Sequence, residues 1–270
     1  MQPHSNRGTF LMRKLFLAGV SVLALGVSGA MAQSVNTNQN GNGNSATTDQ
    51  TEAGDNFDIQ IIQAGNGLSA DVTQNNNGGG AGDGVAQTDI NQAGANNSAT
   101  VTQEDRGAGA GDSLVDIDQA GQGNETTVDQ AVNNNDATVN QTGNSNTANL
   151  TQNSRRSKAT AIQGGNNGLA EITQDDTSFG AEALIDQIGG NGNIASIEQS
   201  DVLDSSAEIT QDGNNNRAEA FQTGTNDTHI DISQHGNGNT ASATQGATAG
   251  LLANIEIIQS GNGNSATSTQ

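Results

Sequence analysis

Side chains able to do acid–base, nucleophilic or metal chemistry are seldom grouped in this chain and are badly placed for it. His229, Asp231 and His235 form the one cluster with metal-ligand character. Alternation about Ile230, Ile232 and Gln234 turns His229 and Asp231 outward, and zinc takes about four ligands. Asp175-Asp176 pairs two carboxylates, but as neighbours on a loop without a cleft. Arg155, Arg156 and Lys158 make one basic patch, read as relief of repulsion among acids, with a docking point for an acidic partner as the alternative. The chain has no Cys, hence no thiol nucleophile and no disulfide. These observations argue against an enzyme, and neither a metal nor a cofactor is expected. Phe57, Phe179 and Phe221 sit in linkers or beside a Gln and read as local packing.

The chemistry in abundance is that of the carboxamide, which both donates and accepts hydrogen bonds. Glutamines recur in pairs. The first members are Gln39, Gln63, Gln92, Gln119, Gln141, Gln163, Gln187, Gln211, Gln234 and Gln259. The second members are Gln50, Gln74, Gln103, Gln130, Gln152, Gln174, Gln199, Gln222, Gln245 and Gln270. The two stand 11 residues apart in every pair except Gln187–Gln199, which is one longer. Two residues after each opener is a glycine: Gly41, Gly65, Gly94, Gly121, Gly143, Gly165, Gly189, Gly213, Gly236 and Gly261. Five after it, Asn44, Asn97, Asn124, Asn146, Asn216, Asn239 and Asn264 recur as a second amide column.

The elements that must position these amides follow from the apolar columns. Bulky residues lie two before the opener (Ile61, Ile90, Ile117, Val139, Ile185, Ile209, Ile232, Ile257) and two before the closer (Val72, Val101, Val128, Leu150, Ile172, Ile197). Ala99 and its equivalents lie seven after the opener, with Ala195 filling that slot in the longer unit and Thr126 replacing it in another. This period of two, broken by a Gly-containing turn, is a strand–turn–strand unit with bulky side chains set beside alanines. An eleven-residue repeat also fits a right-handed coiled coil. Alternation at every second position, with Gly and Asn in each unit, rejects that option.

Between an antiparallel meander and a solenoid, identical columns in every unit favour the solenoid, with Gln on Gln, Asn on Asn and Ile on Ile. The expected fold is all-β: a two-strands-per-turn β-solenoid of about ten stacked units, roughly 48 Å tall at ~4.8 Å per coil. Closer-to-opener spacings run from 11 to 18, so that side is a tolerant loop, with 75–84 and 104–112 the longest bulges. Thr37, Thr48 and Ser268 occupy bulky slots, which makes the terminal coils the weakest.

Met12-Arg13-Lys14, an apolar run from Leu15 to Val27 and Ala30-Met31-Ala32 together read as a secretory signal peptide over 1–32, cleaved between Ala32 and Gln33. The run is too short to span a bilayer, which needs about 20 apolar residues. With Arg7, Arg13 and Lys14 removed, five of the 8 basic residues remain against 29 acidic ones, a formal charge near −24. That charge argues against nucleic acid as a partner and against membrane insertion of the mature domain, 33–270.

The pattern Gln-x-Gly-x-x-Asn-x-Ala-x-x-x-Gln, met in full at Gln39–Gln50, Gln92–Gln103, Gln141–Gln152, Gln211–Gln222, Gln234–Gln245 and Gln259–Gln270, resembles the curlin repeat of bacterial curli fibre subunits. Leu68, Val132 and Gly168 are local departures. The resemblance implies secretion across an outer membrane and nucleated self-assembly into an extracellular amyloid fibre of the biofilm matrix. It also implies partners: other copies of the chain, a nucleator subunit, and a secretion pore with its chaperones. A nucleator or minor subunit of the same fibre, and a monomeric β-solenoid adhesin, are the alternative readings. The mature sequence has no Pro and a single Lys, Lys158, so little in it guards a sheet edge.

Overall fold

Alternation of buried and exposed side chains, with β-branched residues inside and Gly-Asn turns between, produces strands throughout the described part of the chain. The structure is a computed structural model that describes residues 34–51, 57–76, 85–105, 112–132, 134–175, 178–246 and 253–270. The leader, with its expected cleavage point at Ala32 and Gln33, lies outside the described residues, as do 77–84 and 106–111 of the two long loops.

Among the described residues, twenty strands form two ten-stranded parallel sheets. The first sheet stacks β1 (Ser34–Asn40), β3 (Phe57–Asn66), β5 (Ala86–Ala95), β7 (Ser113–Gln122), β9 (Asp136–Asn144), β11 (Lys158–Gln163), β13 (Glu182–Gln187), β15 (Ser206–Asp212), β17 (His229–His235) and β19 (Asn254–Ser260). The second stacks β2 (Ser45–Thr51), β4 (Ser69–Asn76), β6 (Ser98–Asp105), β8 (Glu125–Gln130), β10 (Thr147–Gln152), β12 (Leu169–Asp175), β14 (Ile194–Ser200), β16 (Arg217–Thr223), β18 (Thr240–Gln245) and β20 (Ser265–Thr269). Each coil contributes one strand to each sheet, so the fold is the two-strands-per-turn β-solenoid. Every pairing is parallel, and the meander is ruled out.

The core is one continuous column of buried Ile, Val, Leu and Ala between the sheets. Its internal order departs from the arrangement read from the sequence. Gln119 Nε2 donates to Thr126 Oγ1 at 3.0 Å, and Gln74 Nε2 reaches Thr88 Oγ1 at 3.3 Å. The alanine slot therefore faces the opener glutamine, and the bulky residue before the opener faces the bulky residue before the closer. The alanine's small volume makes room for the amide. Along the central pair the volumes compensate: Ala161 shares its coil with Ile172, and Ala220 shares its coil with Ile209.

The closer-to-opener side is also more regular than its variable length implies. In coils five to eight Arg155, Phe179, Leu203 and Asn226 are joined by parallel β-bridges. A left-handed residue follows each of the four: Arg156, Gly180, Asp204 and Asp227. Phe57 is buried at the start of β3, Phe221 lies on the outer face of β16, and Phe179 stands at the surface.

Candidate functional site: amide ladders and end coils

The parallel register brings the glutamines into two files. Gln39 Nε2 donates to Gln63 Oε1, Gln63 to Gln92, Gln92 to Gln119, and the chain continues unbroken to Gln259, with distances of 2.6–3.1 Å. The closer file runs likewise from Gln50 through Gln74, Gln103, Gln130, Gln152, Gln174, Gln199 and Gln222 to Gln245, at 2.8–3.0 Å. Every Nε2 points toward the C-terminal coils and every Oε1 toward the N-terminal ones, so the ladders have a direction.

The second amide proton ties the sheets together. Gln92 Nε2 donates to Ser69 O at 2.9 Å and Gln141 Nε2 to Glu125 O at 3.0 Å, each a carbonyl of the preceding coil on the opposite sheet. Between the end coils the glutamine side chains are buried and bonded on both sides, as burial of an amide requires. Gln270 closes the last coil differently: its side chain is exposed and reaches Asn254 O, while its backbone N–H bonds Thr244 O.

The asparagine column works by another geometry than amide-to-amide stacking. Asn124 Oδ1 accepts the backbone N–H of Asn146, and its Nδ2 donates to Ala120 O in its own turn and to Gly143 O in the next. Asn97, Asn146, Asn216 and Asn239 repeat this, and Asn264 takes its place at the end of the file. Asn193 completes the column in the longer unit, which a fixed offset from Gln187 misses by one residue. Where Leu68 interrupts the column, Asn44 Oδ1 still accepts the Leu68 N–H, but Asn44 Nδ2 has no partner. A further, exposed file went unread in the sequence: Asn144, Asn166, Asn191, Asn214, Asn237 and Asn262, three or four residues after the opener, bond one another along the turn. Its signal was present as the Asn of Gly-Asn.

The turn glycines are explained by approach of backbone to backbone. A Cβ on Gly121 would fall 1.8 Å from Gly143 O, and on Gly213 2.0 Å from Gly236 O. Gly41, Gly65, Gly94, Gly143, Gly165 and Gly236 are equally close to the next coil, while Gly261, in the last coil, meets only Asn264 Nδ2 at 3.6 Å. In the Gln187–Gln199 unit the turn assignment needs one correction. Gly190, not Gly189, holds the turn position there, since a Gly190 Cβ would fall 1.9 Å from Gly213 O and a Gly189 Cβ would meet nothing within 4 Å. The extra residue of the longer unit is thus bulged out at Gly189.

Charges line the outer faces. Asp116 stacks on Asp89, with Asp118 two residues along the same strand. Burial first, and then the Asp118 and Asp89 carboxylates, push the Asp116 carboxyl above the usual carboxylate range. Burial alone does the same to Asp186. His229 bonds the Ser206 hydroxyl through Nδ1 at 2.8 Å, and His235 is exposed. Among the described residues no group of three or more His, Cys, Asp or Glu is placed to hold a metal ion. No described helix is long and apolar enough to cross a membrane, which says nothing of β-barrels.

Comparison with known families matches residues 111–143 to the curlin associated repeat. No curated protein matches the chain. The matched stretch contains β7, β8 and the opener Gln141, that is, one full unit and the start of the next. Fold and motif together define an all-parallel β-solenoid of curlin-like repeats, an architecture typical of structural rather than catalytic proteins.

Proposed function

We propose that this chain is a secreted structural subunit that polymerises into an extracellular, amyloid-type fibre of the biofilm matrix, serving adhesion and cell aggregation. The observation that carries this reading is the state of the end coils. Among the described strands, β1 and β2 at one end and β19 and β20 at the other pair on one side only. Such edges template further strands. The ladders make the two ends complementary. Gln39 and Gln50 present Oε1 acceptors at one end, and Gln259 presents an Nε2 donor at the other. A second copy continues the opener file, Gln259 to Gln39, without a new kind of contact, and a head-to-tail interface of this sort does not close. Export, a nucleator subunit and a pore with chaperones belong to the same reading and rest on the curlin-like repeats.

The test is assembly of the purified protein after leader removal. Filaments with a ~4.8 Å repeat along their axis should appear after a lag, and seeds should remove it. A chain that stays monomeric over days at a concentration where curlin-type subunits polymerise would refute the proposal. Growth with no lag, together with suppression of another subunit's lag at low stoichiometry, would identify it as the nucleator.

A further inference from the structure

We propose that the turn ridge of Arg155, Arg156, Phe179 and Leu203 is a lateral docking surface for a second copy of this chain, received on the acidic outer face around Asp89, Asp116 and Asp118. The inference rests on the fibre reading and adds the contact by which filaments bundle.

The ridge differs in chemistry from the rest of the surface. The chain carries 29 acidic and 8 basic residues, and two of the basic ones stand here, exposed and adjacent. The Arg156 guanidinium lies 4.9 Å from the centre of the Phe179 ring. Phe179 is 36% exposed and Leu203 43% exposed, in a chain with 5 Phe and no Trp or Tyr. Arginine beside an aromatic ring and an aliphatic side chain is the composition of an interface anchor.

The ridge is also pre-organised. Parallel bridges join Arg155 to Phe179 and Phe179 to Leu203. Phe179 N–H bonds Val202 O at 2.9 Å and Asp204 N–H bonds Phe179 O at 2.9 Å, so its backbone is already ordered before any partner arrives.

Charge complementarity names the occupant. Asp89 and Asp116 are stacked carboxylates on neighbouring strands, with Asp118 beside them and partly buried Leu114 at the same strand's edge. A guanidinium pair placed there relieves like-charge repulsion, and Phe179 and Leu203 meet Leu114. The ridge lies about three coils further along the axis than the acidic face, and on a different side of the solenoid. A rigid coil cannot fold one onto the other, so the contact is intermolecular, with an axial stagger of roughly 14 Å at ~4.8 Å per coil. In a polymer each subunit repeats the contact, and weak pairs add by multivalency.

The experiment compares filaments of the wild-type protein with R155E/R156E and D89K/D118K, at equal polymer mass, by electron microscopy and low-speed pelleting. Wild-type filaments should bundle at ~50 mM salt and separate near 1 M, where charges are screened within ~3 Å. Each charge-reversed variant should grow filaments but pellet about tenfold less, and mixing the two preformed variants should restore bundling. Bundling of R155E/R156E at the wild-type level, or mixed variants that stay single, would overturn the proposal. Should the protein form no filaments, the fibre reading fails by itself. The contact is then read by sedimentation of the monomer, as a low-salt self-association lost in R155E/R156E, and its absence in the wild type would overturn it.

Discussion

Replacing Gln152 by Ala tests whether the amide files hold the coils together. Gln152 Oε1 accepts from Gln130 Nε2 at 2.9 Å, and its Nε2 donates to Gln174 Oε1 at 3.0 Å and to the carbonyls of Asp136 and Ser157. Truncation leaves Gln130 with its carbonyl acceptors Leu114 O and Asn135 O, so that amide loses little. Gln174 Oε1 loses its donor in a fully buried place, at about 1–3 kcal/mol. A void of about 50 Å³ at about 24 cal/mol per Å³ adds roughly 1 kcal/mol. The expected loss is about 2–4 kcal/mol. Gln50 sits half-buried in the first coil and bonds Gln74 on one side only, so water can replace what Q50A removes, and about 1 kcal/mol or less is expected. Q152E should exceed both, because a carboxylate cannot donate to Gln174 and is charged where it is buried. Urea unfolding followed by far-UV circular dichroism, at a concentration where the protein is monomeric, gives the three values. Equal losses for Q50A and Q152A, or a Q152A loss under about 0.5 kcal/mol, would refute the claim that the buried ladder carries stability.

The bulged turn offers a paired test within two residues. G189A should change stability by no more than about 0.5 kcal/mol, while G190A, at φ +81 and 1.9 Å from Gly213 O, should force coils apart and lower the urea midpoint sharply. Asp116 predicts a pH dependence. Its folded carboxyl binds a proton more readily than the unfolded one, so its contribution is full below the ordinary carboxylate value and is lost as pH rises through the raised one. D116N should therefore raise the midpoint at pH 7 and flatten the change between about pH 4 and 7, which a pH series of unfolding curves reads. Assembly should quicken as pH falls toward the sequence pI near 4.1 or as salt is added, measured as the lag of an amyloid-dye signal.

Strands, their pairing and both glutamine files were legible in the sequence because a strand has a period of two and a solenoid stacks like on like. Once the spacing of 11 recurs, only one register puts every Ile and every Gln inside together. The turn glycines were legible as turn formers, yet their reason was not. Coil-to-coil approach to a carbonyl exists only after stacking, and it alone moved the assignment from Gly189 to Gly190. The asparagine column was visible as a column, but nothing local told that its amides would bond backbone rather than one another. The opposition of alanine to glutamine and of bulk to bulk depends on how two sheets face across the core, a through-space relation no single strand encodes. The ridge joining Arg155, Phe179 and Leu203 lay hidden for the same reason: residues 24 apart in sequence become neighbours only when unequal loops are held to one rise per coil.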